Sequence, residues 1–179
     1  MLTTILIGLA VIVVVFLIIV ATRPADFRVV RSASISAPAA VVFAQVNDLH
    51  KWEAWNPWGK LDPACKMTYE GPAAGVGAGY TWAGNSKVGE GRMMISESRP
   101  NELIRLNLEF LKPFKANNTA EFSFKTEGAQ TVVSWSMSGK KNFMFKAVGL
   151  FMDSDKMVGG DFERGLAALK SVAETADRK

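Results

Sequence analysis

Asp48, His50 and Glu53 stand close together in the sequence and share their stretch with Trp52 and Trp55. An aspartate beside a histidine can set the tautomer and basicity of the imidazole for proton transfer. A spacing of two in a polar segment instead suits solvated loop side chains, and that is the expectation taken here. Glu90 and Arg92 share one face of a strand by parity. They pair either as polar groups inside a sheet or as an ion pair on its surface. Cys65 has no neighbouring base to activate it, so it reads as a structural thiol. Ser134, Ser136 and Ser138 alternate with apolar residues and suit the outer face of a strand. The stretch from Gly75 to Gly79 lacks the Lys-Ser/Thr that completes a phosphate loop, and it leads into strand-like sequence, so it reads as a turn. One cysteine and one histidine exclude an intramolecular disulfide, a cysteine metal cluster and a multi-histidine metal site within one chain. No catalytic residue, metal or cofactor is expected.

The aromatic residues carry more information. Trp82, Phe110, Phe122, Phe124, Trp135, Phe151 and Phe162, with Met94, Met137 and Met152, come from segments that patterning assigns to different strands, the terminal helix and its approach. Apolar pockets are lined by residues of the same type as a solid core. These ten are therefore either core or the lining of a cavity, with Glu90 and Arg92 as its candidate polar groups.

Periodicity supplies the elements. Residues 27–35 read as a strand, and Ser36-Ala37-Pro38 opens a helix through Asn47 with Val42, Phe43 and Val46 on one face. Residues 48–60 read as a short helix and loop with Trp52 and Trp55 on one side. Six strand-like segments follow, at 66–70, 78–83, 88–98, 102–111, 118–126 and 130–138. In the fourth, Ile104, Leu106, Leu108 and Phe110 alternate with Arg105, Asn107 and Glu109. Such alternation marks an antiparallel sheet with one buried face. From Asp153-Ser154 onward, Val158, Phe162, Leu166, Leu169 and Val172 recur at helical spacing. Gly159-Gly160 marks a kink or a close backbone approach early in that helix. The segment 143–152 is very apolar for a connector, which suits a buried link, a lid or a membrane-facing surface. A bent sheet wrapped around a long terminal helix predicts an α+β fold of the helix-grip type.

The apolar residues, 49% of a 179-residue chain, are unevenly spread. All 21 basic and 17 acidic side chains lie after residue 22. About 20 apolar residues at about 1.5 Å each span a hydrocarbon core of roughly 30 Å. A secretory signal fits less well, because Met1-Leu2-Thr3-Thr4 has no basic residue and the apolar run is long. A single-pass anchor is expected, with the lipid bilayer as a partner. Arg23, Arg28 and Arg31 follow the span, offset only by Asp26, which places the folded part on the cytoplasmic side. A net charge of +4 without a dense basic stripe predicts no nucleic-acid partner.

Several motifs, in order, resemble the START-like superfamily and its bacterial polyketide cyclase/dehydrase branch. They are Ile35-Ser36-Ala37-Pro38 with Val42-Phe43, Trp52-Glu53-Ala54-Trp55-Asn56-Pro57-Trp58, and Asp62-Pro63. Gly75-Val76-Gly77-Ala78 before Tyr80-Thr81-Trp82, Gly89-Glu90-Gly91, and Asp161-Phe162-Glu163-Arg164-Gly165-Leu166 complete the set. The resemblance implies a fold shared by lipid and quinone carriers, hormone-binding proteins and a few cyclases, so fold alone does not choose the function. The expected organisation is an anchor at 1–22, a linker at 23–26, a helix-grip domain at 27–175 and a tail at 176–179. The expected function is binding of a hydrophobic small molecule such as a lipid, quinone or isoprenoid. One alternative is a cyclase or dehydrase that needs Glu90, Arg92 or His50 in the cavity. The other is an interaction module that docks a protein on an exposed Trp52-Trp55-Trp58 patch.

Overall fold

Helix α1 (Leu2–Thr22) is exposed along its length apart from half-buried Phe16 and buried Val20, and is long and apolar enough to cross a membrane. Only Arg23, Pro24 and Ala25 separate it from strand β1 (Asp26–Ile35). The computed structural model describes residues 1–151 and 154–178. Helix α2 (Ala39–Asn47) follows β1, with Pro38 at its N-cap, where a missing N–H leaves no hydrogen bond unmade. A 3₁₀ turn at Leu49–Ala54 and another at Gly59–Leu61 lead to strands β2 (Lys66–Glu70), β3 (Gly79–Ala83), β4 (Glu90–Arg99), β5 (Leu103–Lys112), β6 (Ala116–Glu127) and β7 (Gln130–Lys140). A short helix α3 (Phe143–Val148) and the long helix α4 (Ser154–Ala176) end the chain.

All seven strands form one antiparallel sheet in the order β1-β7-β6-β5-β4-β3-β2. Helix α4 packs on β1 and α2, so the sheet grips it from one face. Phe162, Leu166, Leu169 and Ala173 of α4 are fully buried at spacings of four, three and four, which turns one stripe of the helix to the sheet. The sheet answers with Ile104 and Leu106 of β5, Ala120, Phe122 and Phe124 of β6, and Val133, Trp135 and Met137 of β7, every second residue as the pleat requires. Burying each large side chain contributes about 1.5–3 kcal/mol. The expected strand faces therefore hold in β5, β6 and β7. Ser136 lies on the outer face as expected, yet it is buried between Val30 and Glu121, its partners in register. Gly75 and Gly77 adopt positive φ in the loop that enters β3, a turn geometry.

The N-terminal turns of α4 are held to β1 by charge. Arg31 Nη2 lies 2.8 Å from Asp155 Oδ2, and Arg31 Nε lies 2.7 Å from Glu163 Oε1. Gly159 makes this approach possible, because a Cβ there would stand 2.0 Å from Arg31 Nη2. The Gly159-Gly160 pair is thus a site of close approach. The hydrogen bond from Arg31 holds the Asp155 carboxyl below its ordinary value. A carboxylate whose folded pKa is depressed stabilises the fold above its unfolded pKa and loses that contribution as pH falls through the folded value. Acidification below about pH 4 is therefore expected to loosen the start of α4. Hydrogen exchange across residues 155–163 checks this: protection in wild type falls on acidification towards that of Arg31→Gln, which shows no such step.

Candidate functional site

Between α4 and the sheet lies a cavity of about 30 Å³. Its walls are Leu106, Leu108 and Met93 from β5 and β4, Ala120 and Met137 from β6 and β7, and the rings of Trp52, Trp58, Trp135 and Phe162. Its cause is local. In the cross-strand row Leu106, Ala120, Met137, the central residue has only a methyl group, so the layer beneath α4 is not filled there.

Stacked aromatic rings form one wall. Trp135 lies parallel to Phe162, with centroids 4.1 Å apart at 7°, and nearly parallel to Phe122 at 4.8 Å. Trp55 and Trp58 meet Trp135 edge-on at 5.8 and 5.7 Å. Edge-to-face and offset arrangements add to the energy of burial. Each indole also has an N–H to satisfy. Trp52 donates to Val46 O at 2.8 Å, Trp55 to Gln45 O at 3.2 Å, Trp82 to Val88 O at 3.1 Å, and Trp58 to Asp161 Oδ2 at 3.2 Å. The fifth tryptophan differs. Trp135 Nε1 is buried and has no acceptor among the described residues. Among the described residues one other buried side-chain polar atom shares that state: Asn118 Oδ1, on the inner face of β6 opposite Leu108 and Gly139. A buried polar group without a partner costs about 1–3 kcal/mol.

The residues singled out from sequence divide into groups. Trp135, Met137 and Phe162 line the cavity. Phe122 is buried against Trp135, and Phe124 is buried with its ring 5.5 Å from Phe43, so both are inner-face residues away from the lining. Trp82 and Phe110 meet edge-to-face at 5.7 Å and also lie apart from it. Three expectations are corrected. Met94 is 46% exposed, because β4 turns Gly91, Met93 and Ile95 inward; Met93 lines the cavity in its place. Glu90 and Arg92 share the outward parity of Met94, and they pair on that face with Lys112 at 2.8 Å and Glu109 at 2.6 Å. Phe151 is 81% exposed, so it cannot line an interior. Met152, and Asp153 where the helical spacing begins, lie outside the described residues.

The polar cluster near the tryptophans is a surface feature. His50 stacks on Tyr69 with centroids 4.0 Å apart, and its Nδ1 lies 3.2 Å from Asp48 Oδ1. It is half-exposed and away from the cavity. The exposed Trp52-Trp55-Trp58 patch that the interaction-module alternative needs is instead folded inward, with Trp52 and Trp55 buried and Trp58 half-buried. Burial pushes the Cys65 thiol up, with Asp62 adding to the effect, which leaves it a poor nucleophile. Trp52, Trp58, Met93, Leu106, Leu108 and Ala120 line the cavity but were not among the residues expected to line it. For Met93 a signal existed: charged Arg92 and polar Ser96 share one parity, which assigns Met93 to the other.

The family model for polyketide cyclase/dehydrase and lipid transport proteins matches residues 26–174. The chain belongs to this family. No curated protein sequence matches it. Solved structures share its fold at low identity. Protein CV1439 from Chromobacterium violaceum is 15% identical with a TM-score of 0.59, over 85% of this chain and 99% of that one. Ginseng major latex-like protein 151 from Panax ginseng is 14% identical with a TM-score of 0.59, over 86% of this chain and 98% of that one. The di-domain aromatase/cyclase StfQ of the steffimycin biosynthetic pathway is 11% identical with a TM-score of 0.62, over 85% of this chain and 52% of that one. This family member therefore spans about half the length of StfQ. The sheet order and the long terminal helix are those of the helix-grip fold.

Proposed function

We propose that the chain is a membrane-tethered helix-grip domain that binds a hydrophobic small molecule beneath α4, the folded part lying on the cytoplasmic side. The observation that carries this reading is a wholly apolar cavity beneath α4, one of whose lining residues, Trp135, keeps a buried N–H that no described residue accepts. A lipid, quinone or isoprenoid supplies an apolar body for such walls, and an oxygen on it would accept the indole hydrogen once the side chains around Trp135 move. A volume of about 30 Å³ suits one water, so a larger guest must displace side chains. Two features support that. Met93 and Met137 line the cavity with flexible thioether chains. Trp58, the half-buried ring of the wall between the 3₁₀ turns, is the one that a guest would displace, breaking its bond to Asp161. Binding is favoured over turnover because Glu90, Arg92 and His50 all lie off the cavity. Helix α1 would keep the domain where such molecules are dissolved.

The test uses the full-length chain in lipid nanodiscs. Decylubiquinone and cis-parinaric acid are expected to quench tryptophan fluorescence saturably, and native mass spectrometry to show a retained small molecule. A hydrogen bond to a charged partner contributes about 1.5 kcal/mol, so Trp58→Ala should speed uptake about tenfold. Linear, unsaturable quenching by both probes, with no retained molecule, overturns the proposal.

A further inference from the structure

The strongest unexplained surface is at the foot of α1. There a cleft of about 320 Å³ is lined by Arg23, Arg28, Lys141 and Lys146, together with Asp26 and Asp155. Asp155 is already engaged by Arg31, so the cations outweigh the remaining acid. Lys141 Nζ is held 5.9 Å above the Phe27 ring. The cleft is tied to the end of the apolar helix: Lys146 Nζ donates to Ala21 O at 3.4 Å, and α3 packs against α1.

An apolar rim adjoins this cleft. Phe143, Met144, Phe145 and Val148 of α3 are exposed, as are Phe151 and Phe114. Phe114 belongs to the β5–β6 turn, and its ring packs edge-on to Phe145 at 5.7 Å. A six-residue helix has little stability of its own in water, and this one turns most of its apolar residues outward. Antiparallel pairing brings the same end of the sheet together here: Asp26 is opposite Lys140, Gly139 opposite Asn118, and Ala116 opposite Phe110.

We infer that this face docks on the bilayer that holds α1, with anionic phospholipid headgroups in the Arg23-Arg28-Lys141-Lys146 cleft and the α3 rim in the interfacial layer. The inference rests on the reading of α1 as a membrane anchor. Two arguments commit the face to the bilayer. The cations are continuous with the last turn of α1, so they stand at headgroup depth when α1 spans. Charge and apolarity also occur side by side, the pairing an anionic interface offers: phosphate for the cations and acyl chains for the rings. The consequence is that the end of the grip where α4 begins would be held against lipid.

The experiment uses the full chain with Cys65→Ser and Met144→Cys, labelled with the environment-sensitive dye NBD. It is reconstituted into phosphatidylcholine vesicles with or without phosphatidylserine. In phosphatidylserine vesicles the label is expected to shift to the blue and to be quenched by brominated lipid; in pure phosphatidylcholine both effects shrink. A label at Gly128→Cys, in the turn between β6 and β7 at the other end of the sheet, stays water-like in both. Each cation near an anionic surface contributes about 1 kcal/mol, so Arg28→Gln with Lys141→Gln should lower the docked-to-undocked ratio about thirtyfold. The charge-matched pair Arg99→Gln with Lys125→Gln should leave it unchanged. A chain released by alkaline carbonate means that the anchor reading fails. A chain that resists extraction while its Met144→Cys label stays water-like overturns the docking alone. Equal docking in both vesicles, or docking abolished by free phosphate, overturns the headgroup site.

Discussion

Trp135→Ala is expected to lower the unfolding free energy by about 3–5 kcal/mol, while Trp135→Phe costs about 1 kcal/mol or less. Alanine removes the ring that stacks on both Phe122 and Phe162, and the edge-on contacts of Trp55 and Trp58 go with it. The space left is enclosed by the sheet and α4, which relax only in part. Phenylalanine keeps a stacked ring and deletes the N–H. Because that N–H is buried without an acceptor, its loss offsets part of the lost volume. Chemical denaturation of the detergent-solubilised full chain measures both variants. If phenylalanine is as damaging as alanine, the indole hydrogen is bonded in the folded protein, and the argument for a ligand oxygen at Trp135 fails. The same pair separates stability from binding: Trp135→Phe should weaken saturable uptake of decylubiquinone although the fold persists.

Gly165→Val is expected to destabilise by about 2 kcal/mol, and Gly160→Ala in the same helix to stabilise by up to about 1 kcal/mol. A Cβ at Gly165 would stand 2.7 Å from Trp135 Cζ3 and 3.1 Å from Pro57 Cδ. Trp135 is held between two rings and cannot swing aside cheaply, so α4 must lift from the sheet. At Gly160 the nearest atom is Arg164 Nη1 at 3.8 Å, and the substitution adds helix propensity without a clash. Thermal unfolding gives both signs, and near-UV circular dichroism reports the loosened ring stack in Gly165→Val. A stable Gly165→Val with an unchanged aromatic spectrum would mean that α4 does not press on Trp135.

The outline of the fold was legible because each strand buries one face. Arg105, Asn107 and Glu109 between Ile104, Leu106, Leu108 and Phe110 leave no other way to orient β5. The family resemblance was equally accessible, since its motifs are contiguous. The site was less so, for two reasons. In β4 two methionines are adjacent, and choosing Met94 over Met93 reverses the face, because a one-residue shift exchanges inside and outside. The tryptophans at 52, 55 and 58 carry no mark of burial on their own. Only a sheet opposite them supplies Phe122 and Trp135 to pack against, and the acceptors of their hydrogens are the α2 carbonyls of Val46 and Gln45 for Trp52 and Trp55 and the α4 carboxylate of Asp161 for Trp58.

By itself the sequence determined the uncharged apolar helix at the start, the antiparallel strands with one buried face and the amphipathic terminal helix, because each is a local pattern of side-chain polarity. The tertiary structure alone decided that Glu90 and Arg92 lie on the outer face of β4, and that aromatic and aliphatic side chains together close the interior down to a small cavity. It also decided that one indole N–H of five lacks a partner among the described residues and that four cations gather at the foot of α1. These outcomes depend on distances between residues far apart in the chain, and polarity patterns along a sequence carry no such distances.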